Sequence, residues 1–476
     1  MEGHGRGVLR MTPEAMRRLA DKATQALIDR LEGLSDSRPW DGDFREVLED
    51  KLGTPPPEHG RSAEDVLEQA LRDVLPYAAR LDHPRFFGFV PSATTWPGVV
   101  AEFVAAGFNI NSCTWLVSSG TSQLELVVLD WIRGWIGYPE TGGGLLTSGG
   151  SAASVEALVT AREAAGHPER PAVYMSDQSH SALKRAALVA GVRRENIRLV
   201  PSDDAFRIDL ARLRQCIADD RATGLQPVAV CANAGSPGTG AIDPLVPLAD
   251  LCAREGIWLH VDAAYGGFAL VTSEGKDLLA GIERADSVGI DAHKWFFQPY
   301  ETGALMVKDV AHLEDAFAIG HDVLQDTVWG TNHPNFADRG LQLSRAPRAL
   351  KMWMSVQTFG MAGFRAAVQE GLDLARRAEA HIEASPVLEL MTPVSLGIVC
   401  FRVNPGDGHD ERSLDEVNRN VLAEVFWDEL AFFSSTSLKG VFSLRMCIEN
   451  HTTTWDDVRK TLDLVERLGR AALAGK

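Results

Sequence analysis

Three residues near the middle of the chain carry side chains that a buried strand has little use for: Asp262, His293 and Lys294. Asp262 closes the apolar run Trp258-Leu-His-Val-Asp262 and is followed by Ala263, Ala264 and Tyr265. A second run, Ser287-Val-Gly-Ile-Asp291, leads into Ala292, His293, Lys294 and Trp295. Short apolar runs of this kind are how fully buried parallel strands read, and the carboxyl ends of such strands are where open α/β sheets bind ligands. Taken singly, the lysine reads as a snorkelling surface residue and the aspartate as a turn or cap. Taken together, an amine, a carboxylate and small residues fit pyridoxal phosphate. Lys294 offers the amine of a Schiff base, Asp262 a carboxylate that keeps the ring nitrogen protonated, and Ala264 a floor for a flat ring. A protonated pyridine draws in the electron pair released when a bond at a substrate α-carbon breaks.

A phosphate also needs N–H donors. The stretch Leu145-Leu-Thr-Ser-Gly149-Gly150-Ser151-Ala runs from apolar residues through a glycine turn into a helical pattern. Such a turn exposes backbone N–H groups at a helix N-terminus, a natural seat for an anion. The same pattern equally describes an ordinary capped helix start.

The elements that must hold these residues alternate. Short buried-type strands are expected at Ala172–Ser176, Ile197–Val200, Val228–Ala232, Trp258–Asp262, Ser287–Asp291 and Gly303–Val307, with helices between them. That alternation predicts an α/β fold with a mostly parallel central sheet covered by helices. Residues 83–380 form this large domain. Before it, residues 1–82 read as a helical arm. Met16, Leu19, Ala20, Ala23, Ala26, Leu27 and Leu31 recur at helical spacing over Met11–Glu32, and Ser62 is placed to cap a second helix. Pro39–His59 reads as a plain connection and His83–Ser92 as irregular, while Gln123–Gly137 is helical. The arm packs either on another subunit or as a lid on its own domain. Ala311–Gly340 has no clear period and reads as a functional loop. Helix returns over Leu350–Ala380, and residues 381–476 form a small α+β domain with strands at Ile398–Val403 and Val441–Ile448.

Composition narrows the setting. A net charge of −18 without a long basic run argues against nucleic acid. Six scattered cysteines form no zinc pattern and read as reduced core thiols, so no metal is expected. There is no membrane-length apolar span and no apolar signal core at the N-terminus, which fits a cytoplasmic enzyme.

Five segments in order are more specific: His83-Pro-Arg-Phe-Phe87, Ser176-Asp-Gln-Ser-His180-Ser-Ala-Leu-Lys-Arg-Ala, His260-Val-Asp262-Ala-Ala264-Tyr, Asp291-Ala-His293-Lys294-Trp and Arg348-Ala-Leu-Lys-Met-Trp353. Over residues 10–470 the chain resembles the group II pyridoxal-phosphate decarboxylases of fold-type I, which include aromatic L-amino acid, glutamate and cysteine sulfinate decarboxylases. The resemblance implies that His180 stacks on the cofactor ring, where its plainer reading is a capping or surface histidine. It implies that Gly149, Gly150 and Ser151 hold the phosphate, with Asp291 and His293 close by. The aromatic enzymes carry asparagine where this chain has Asp291. A carboxylate beside a dianion is repelled, so Asp291 is expected to turn away to a backbone or arginine partner. In Ala234-Gly-Ser236-Pro237-Gly-Thr239, Pro237 removes one of two usual hydroxyls, leaving Ser236 or Thr239 to reach the cofactor. The implied substrate pocket comprises Leu81, Phe89, Val90, Pro91, Ser92, Asn111, Cys113, Trp115 and Phe336, less aromatic and more polar than an indole or catechol site.

The implied reaction is α-decarboxylation of an L-amino acid, aromatic or medium apolar, to the amine and CO2. Counting back from Trp353 sets Phe336 where the aromatic decarboxylases carry a loop tyrosine thought to protonate the α-carbon. Either another donor serves, such as His180, His333 or water, or O2 intervenes and an aldehyde forms. Another pyridoxal-phosphate lyase or transaminase reaction, or a catalytically idle relative, are the further alternatives. The resemblance also implies a homodimer with sites between subunits, the 311–340 loop reaching into the neighbour's site.

Overall fold

The structure is a computed structural model and describes residues 9–318, 333–406, 410–428 and 430–474. The arm begins with α1 (Pro13–Glu32), where Thr12 Oγ1 accepts the Ala15 N–H at 3.2 Å. α2 (Arg45–Leu52) lies inside the stretch expected to be a plain connection. Six of its eight residues, all but Val47 and Asp50, are strong helix formers, and the prolines stand outside it, at Pro39 and Pro55–Pro57. α3 (Ala63–Asp73) starts at the expected cap, Ser62 Oγ accepting the Asp65 N–H at 3.1 Å. None of these three helices has a buried residue.

His83–Ser92, expected to be irregular, contains a two-residue strand, β1 (Phe86–Phe87). α4 (Trp96–Phe108) and α5 (Trp115–Ile136) follow. The chain then alternates: β2 (Gly143–Thr147), α6 (Gly150–Ala164), β3 (Pro171–Ser176), α7 (Ser181–Val189), β4 (Ile197–Val200), α8 (Leu210–Ala222), β5 (Gln226–Asn233), α9 (Leu245–Glu255), β6 (Trp258–Asp262), α10 (Ser273–Leu278), β7 (Ser287–Asp291) and β8 (Gly303–Val307). The seven strands pair in the order β2-β8-β7-β6-β5-β3-β4. Only β8 runs against the rest, antiparallel to both β2 and β7. All other strands therefore point their carboxyl ends at one edge, which gathers the residues after β2, β3, β5, β6 and β7.

Of the 311–340 loop, residues 319–332 lie outside those described. What is described departs from the expectation: α11 (Ala311–Phe317) is helical, and Phe336–Asp338 make one 3-10 turn. α12 (Ala349–Ala384) is broken at Gly360, where φ is 67°. The remaining elements are β9 (Leu388–Leu390), β10 (Ile398–Val403), α13 (Glu411–Asp428), β11 (Phe432–Leu438), β12 (Val441–Cys447) and α14 (Trp455–Ala474). They form a second sheet, β1-β11-β12-β10-β9, so the Phe86–Phe87 segment pairs with the C-terminal sheet and not with the large one. Side chains tie the two sheets together. Tyr265 stacks on Trp295 at 5.6 Å, and its hydroxyl accepts the Gly397 N–H at 2.7 Å. Among the described residues no helix is long and apolar enough to cross a membrane.

Candidate active site

β7 ends at Asp291 and the backbone turns at once: the Lys294 N–H donates to Asp291 O at 3.2 Å, and the Phe297 N–H to Lys294 O at 3.2 Å. Ser92 Oγ donates to the same Lys294 carbonyl at 2.8 Å, pinning the lysine from the 83–92 segment. The turn brings Lys294 Nζ to 3.1 Å from Asp291 Oδ2. Asp291 thus does not turn away to a backbone or arginine partner as expected. A buried carboxylate within reach of an ammonium gains more by pairing than by any neutral contact, and the lysine lies closest. Burial opposes the charge on Lys294, but Asp291 and then Asp262 outweigh it and hold the amine above the ordinary lysine value. His293 Nδ1 accepts the Thr302 N–H at 3.1 Å, which leaves the proton on Nε2, 3.5 Å from Asp291 Oδ2. Burial lowers the His293 value, with Asp291 pulling the other way.

The glycine turn closes over this group. Gly149 has φ 142°, a conformation that L side chains rarely adopt. A Cβ there would lie 2.9 Å from His293 Cε1; one on Gly150 would lie 2.9 Å from Ala264 Cβ and 3.2 Å from Asp291 Oδ2. Gly149, Gly150, Ala264, Asp291 and His293 are therefore brought together as the sequence predicted. No side chain caps α6, and Ser151 in its first turn is exposed, so the helix start is open to an anion. Asp262 ends the adjacent β6, and its Oδ1 accepts the Ala264 N–H at 3.1 Å. Ser236, after β5, is buried, with its hydroxyl 2.9 Å from that of Thr239. His180 caps α7, Nδ1 accepting the Ala182 N–H at 3.1 Å, and its ring is exposed at the same sheet edge. The plainer reading of His180 describes its bonding, and Nε2 stays available.

The expected pocket residues divide into two groups. Ser92 touches Lys294, Pro91 is buried beside it, Val90 and Leu81 are half-buried, and Phe89 is exposed with φ 54°. Asn111, Cys113, Trp115 and Phe336 gather instead around the 333–345 segment. Asn111 Oδ1 accepts the Arg345 N–H at 3.0 Å, the Cys113 carbonyl accepts the Ala337 N–H at 2.9 Å, and the Trp115 N–H donates to Asn335 Oδ1 at 3.0 Å. The Trp115 ring stacks on His333 at 4.9 Å. Phe336 is fully buried, with the guanidinium groups of Arg345 and Arg339 at 4.9 and 5.6 Å from its ring. It was expected on a mobile loop facing the α-carbon; a large apolar ring under two cations is better placed in the core, and that is where it lies.

Three residues escaped the sequence reading. Tyr300 packs its ring 4.5 Å from His293; burial raises its value, Lys294 lowers it, and Glu449 and Asp291 raise it. Arg445, on β12, donates through Nε to Pro237 O at 2.9 Å and through Nη1 to Phe89 O at 2.7 Å. Glu449 is buried, and burial lifts its carboxyl well above the usual range against the pull of Lys294 and Arg445. The signal for Glu449 was available: a carboxylate directly after the expected Val441–Ile448 strand, much as Asp262 ends its own.

An amine paired with one carboxylate, in the field of a second and near an uncapped helix start can form an imine with an aldehyde and seat an anion next to it. Residues 46–404 match the pyridoxal-dependent decarboxylase conserved domain. The chain is 35% identical to an aromatic-L-amino-acid decarboxylase of Bacillus atrophaeus over 463 residues, 97% of this chain and 96% of that protein. It is 30% identical to a phenylacetaldehyde synthase of Arabidopsis thaliana, covering 98% of each. Among solved structures, Oryza sativa TDC with PLP and tryptamine matches with a TM-score of 0.92 at 27% identity, over 98% of this chain and 99% of that one.

Proposed function

The chain belongs to the pyridoxal-dependent decarboxylase family and is a pyridoxal-phosphate-dependent carboxy-lyase, and from that premise we propose that it removes the α-carboxylate of an aromatic or medium apolar L-amino acid, giving CO2 and the amine. The observation that carries the reading is the position of the Lys294 amine, 3.1 Å from Asp291 Oδ2, the same oxygen that lies against the Gly149–Gly150 turn. When bound, pyridoxal phosphate supplies the electron sink for the pair left at the α-carbon. In this reading Gly149, Gly150 and Ser151 hold its phosphate with open N–H groups, Asp262 keeps a proton on its ring nitrogen, and Ala264 and His180 bound the ring. Ser236 or Thr239 bonds its oxygen. Lys294 would hold the cofactor through its amine, while Asp291 holds and returns the proton at Nζ. The pocket walls keep water from the carboxylate, which favours its departure as neutral CO2.

A second reading, CO2 loss with O2 consumption to give an aldehyde, is favoured by one sequence fact: residues 311–348 contain no tyrosine. The test is to supply candidate L-amino acids and follow CO2, amine, ammonia, peroxide and O2 together. CO2 with equal amine and no O2 uptake is the expected result; CO2 with ammonia, peroxide and O2 loss overturns the amine product. Borohydride should fix the cofactor onto Lys294, seen as added mass on that peptide, and Lys294→Ala should lose both the label and CO2 release. We further propose that the enzyme is a homodimer, because the arm helices bury nothing in one chain and the pocket residues form two separate groups.

A further inference from the structure

The C-terminal sheet delivers a carboxyl group that the chemistry above leaves unused. Beyond β12, the Ile448 N–H donates to Gly397 O at 2.7 Å, and Glu449 follows. Glu449 is 1% exposed, and neither of its oxygens has a hydrogen-bond partner among the described residues. The next two residues fix it in place. Asn450 Nδ2 donates to the carbonyls of Asp82 and His83 at 3.0 and 3.1 Å, and the His451 ring meets Phe297 edge-on at 4.8 Å. Glu449 is thereby held between the start of the 83–92 segment and the turn that carries Lys294. Its electrostatic neighbours are Lys294, Tyr300, Arg445, Tyr265 and Cys447. Arg445 is already engaged with Pro237 and Phe89, and Lys294 with Asp291.

The fold can satisfy a buried carboxylate where it needs to. Asp243 accepts from the Ile208 N–H at 2.6 Å, the Asn233 N–H at 2.7 Å and Asn233 Nδ2 at 2.9 Å. Against that standard, two open oxygens on Glu449 mark a place where a ligand completes the bonding. The α-amino group of a substrate must reach Lys294, which Asp291 serves, and a hydrogen bond to the α-carboxylate would oppose its departure as neutral CO2, so the groups left to meet Glu449 are those of the side chain. We propose that Glu449 is a specificity-determining residue: its carboxyl group pairs with the polar end of the substrate side chain and selects L-amino acids ending in an N–H or O–H group over apolar ones of the same shape. Burial raises this acid against the pull of Lys294 and Arg445 and so favours its neutral form; a carboxyl group can accept from such a group, and when neutral it can also donate to a phenolic oxygen. The inference rests on the amino acid decarboxylase reading.

Matched pairs test it: L-tyrosine against L-phenylalanine, and L-tryptophan against 3-benzothienylalanine, which lacks the indole N–H. The holoenzyme should favour the donor-bearing member of at least one pair by about tenfold or more in kcat/KM, because a site built around a hydrogen bond rejects the analogue lacking it. Glu449→Gln should keep that preference and Glu449→Met should abolish it, with the cofactor absorbance retained in both. A binding arm needs no turnover: tyramine should bind the holoenzyme more tightly than phenethylamine, and Glu449→Met should equalise them. Preference unchanged in Glu449→Met, or no preference in the wild-type protein, overturns the proposal. Absence of CO2 from every amino acid would instead overturn the decarboxylase reading, and the binding arm would still decide the role of Glu449.

Discussion

Asp291 shows how one carboxylate changes the handling of a proton. Because its field and that of Asp262 hold the Lys294 amine above the ordinary lysine value, the apoprotein carries an ammonium at neutral pH. Only the neutral amine attacks an aldehyde, so cofactor uptake should quicken as pH rises toward that raised value. Asp291→Asn removes the nearest negative charge and should shift the uptake profile to lower pH, measured as the growth of cofactor absorbance against pH; an unmoved profile would contradict the pairing. Lys294, Asp262, Ala264 and the Gly149–Gly150 turn were legible in the sequence because amines and carboxylates after apolar strands have few structural uses. The direction of Asp291 was not, since sequence shows a carboxylate near an expected phosphate but not an ammonium 3.1 Å away. The burial of Phe336 was not legible either: counting residues across a loop gives a position in the chain, and only packing shows that its ring lies under Arg345.

At the scale of elements, two buried carboxylates fasten the 333–348 segment to α5 and α6. Glu125 on α5 pairs bidentately with Arg345, Oε2 lying 3.1 Å from Nη1, and both side chains are 1% exposed. Removing one partner leaves an uncompensated buried charge, so Glu125→Ala should destabilise the protein by about 3–5 kcal/mol in thermal or denaturant unfolding. The double variant Glu125→Leu, Arg345→Met should recover most of that loss. Glu156 on α6 accepts the Leu341 N–H at 3.1 Å, and burial pushes its carboxyl from 4.5 up to about 7. The folded state then holds a proton that the unfolded state releases, so this group's contribution is complete below pH 4.5 and is lost as pH rises to about 7. Glu156→Gln should therefore narrow the difference in melting temperature between pH 5 and pH 8. Strand positions were readable where apolar runs stop at a polar residue, as at Trp258–Asp262 and Ser287–Asp291. β9 and β11 were not: one has three residues, and the other carries the Ser434–Ser437 run, which has no apolar signal.

The whole molecule leaves apolar surface that one chain cannot cover. Phe44 is 79% exposed on the arm, and Phe103 and Phe108 on α4 are 68% and 78% exposed. Together with arm helices that bury no residue, this supports two copies meeting across the arm and α4. Light scattering should give twice the 51.7 kDa chain mass, and Phe108→Arg should shift the population toward monomers with reduced activity. A fully active wild-type monomer would refute it. The layered α/β plan was legible from alternating runs. The attachment of Phe86–Phe87 to the C-terminal sheet was not, because a pairing between residues so far apart in the chain leaves no local pattern.

β8 brings no reactive side chain to the site, yet one of its residues has a hold over it. A single added carbon on Gly303 would fall 2.5 Å from Asp291 Oδ1 and 2.6 Å from Gly149 Cα. A library of substitutions would thus flag position 303 as indispensable, on a par with the lysine, although it has nothing to offer a substrate. What it contributes is room, and a screen that equates intolerance with chemistry would mistake that clearance for a reagent.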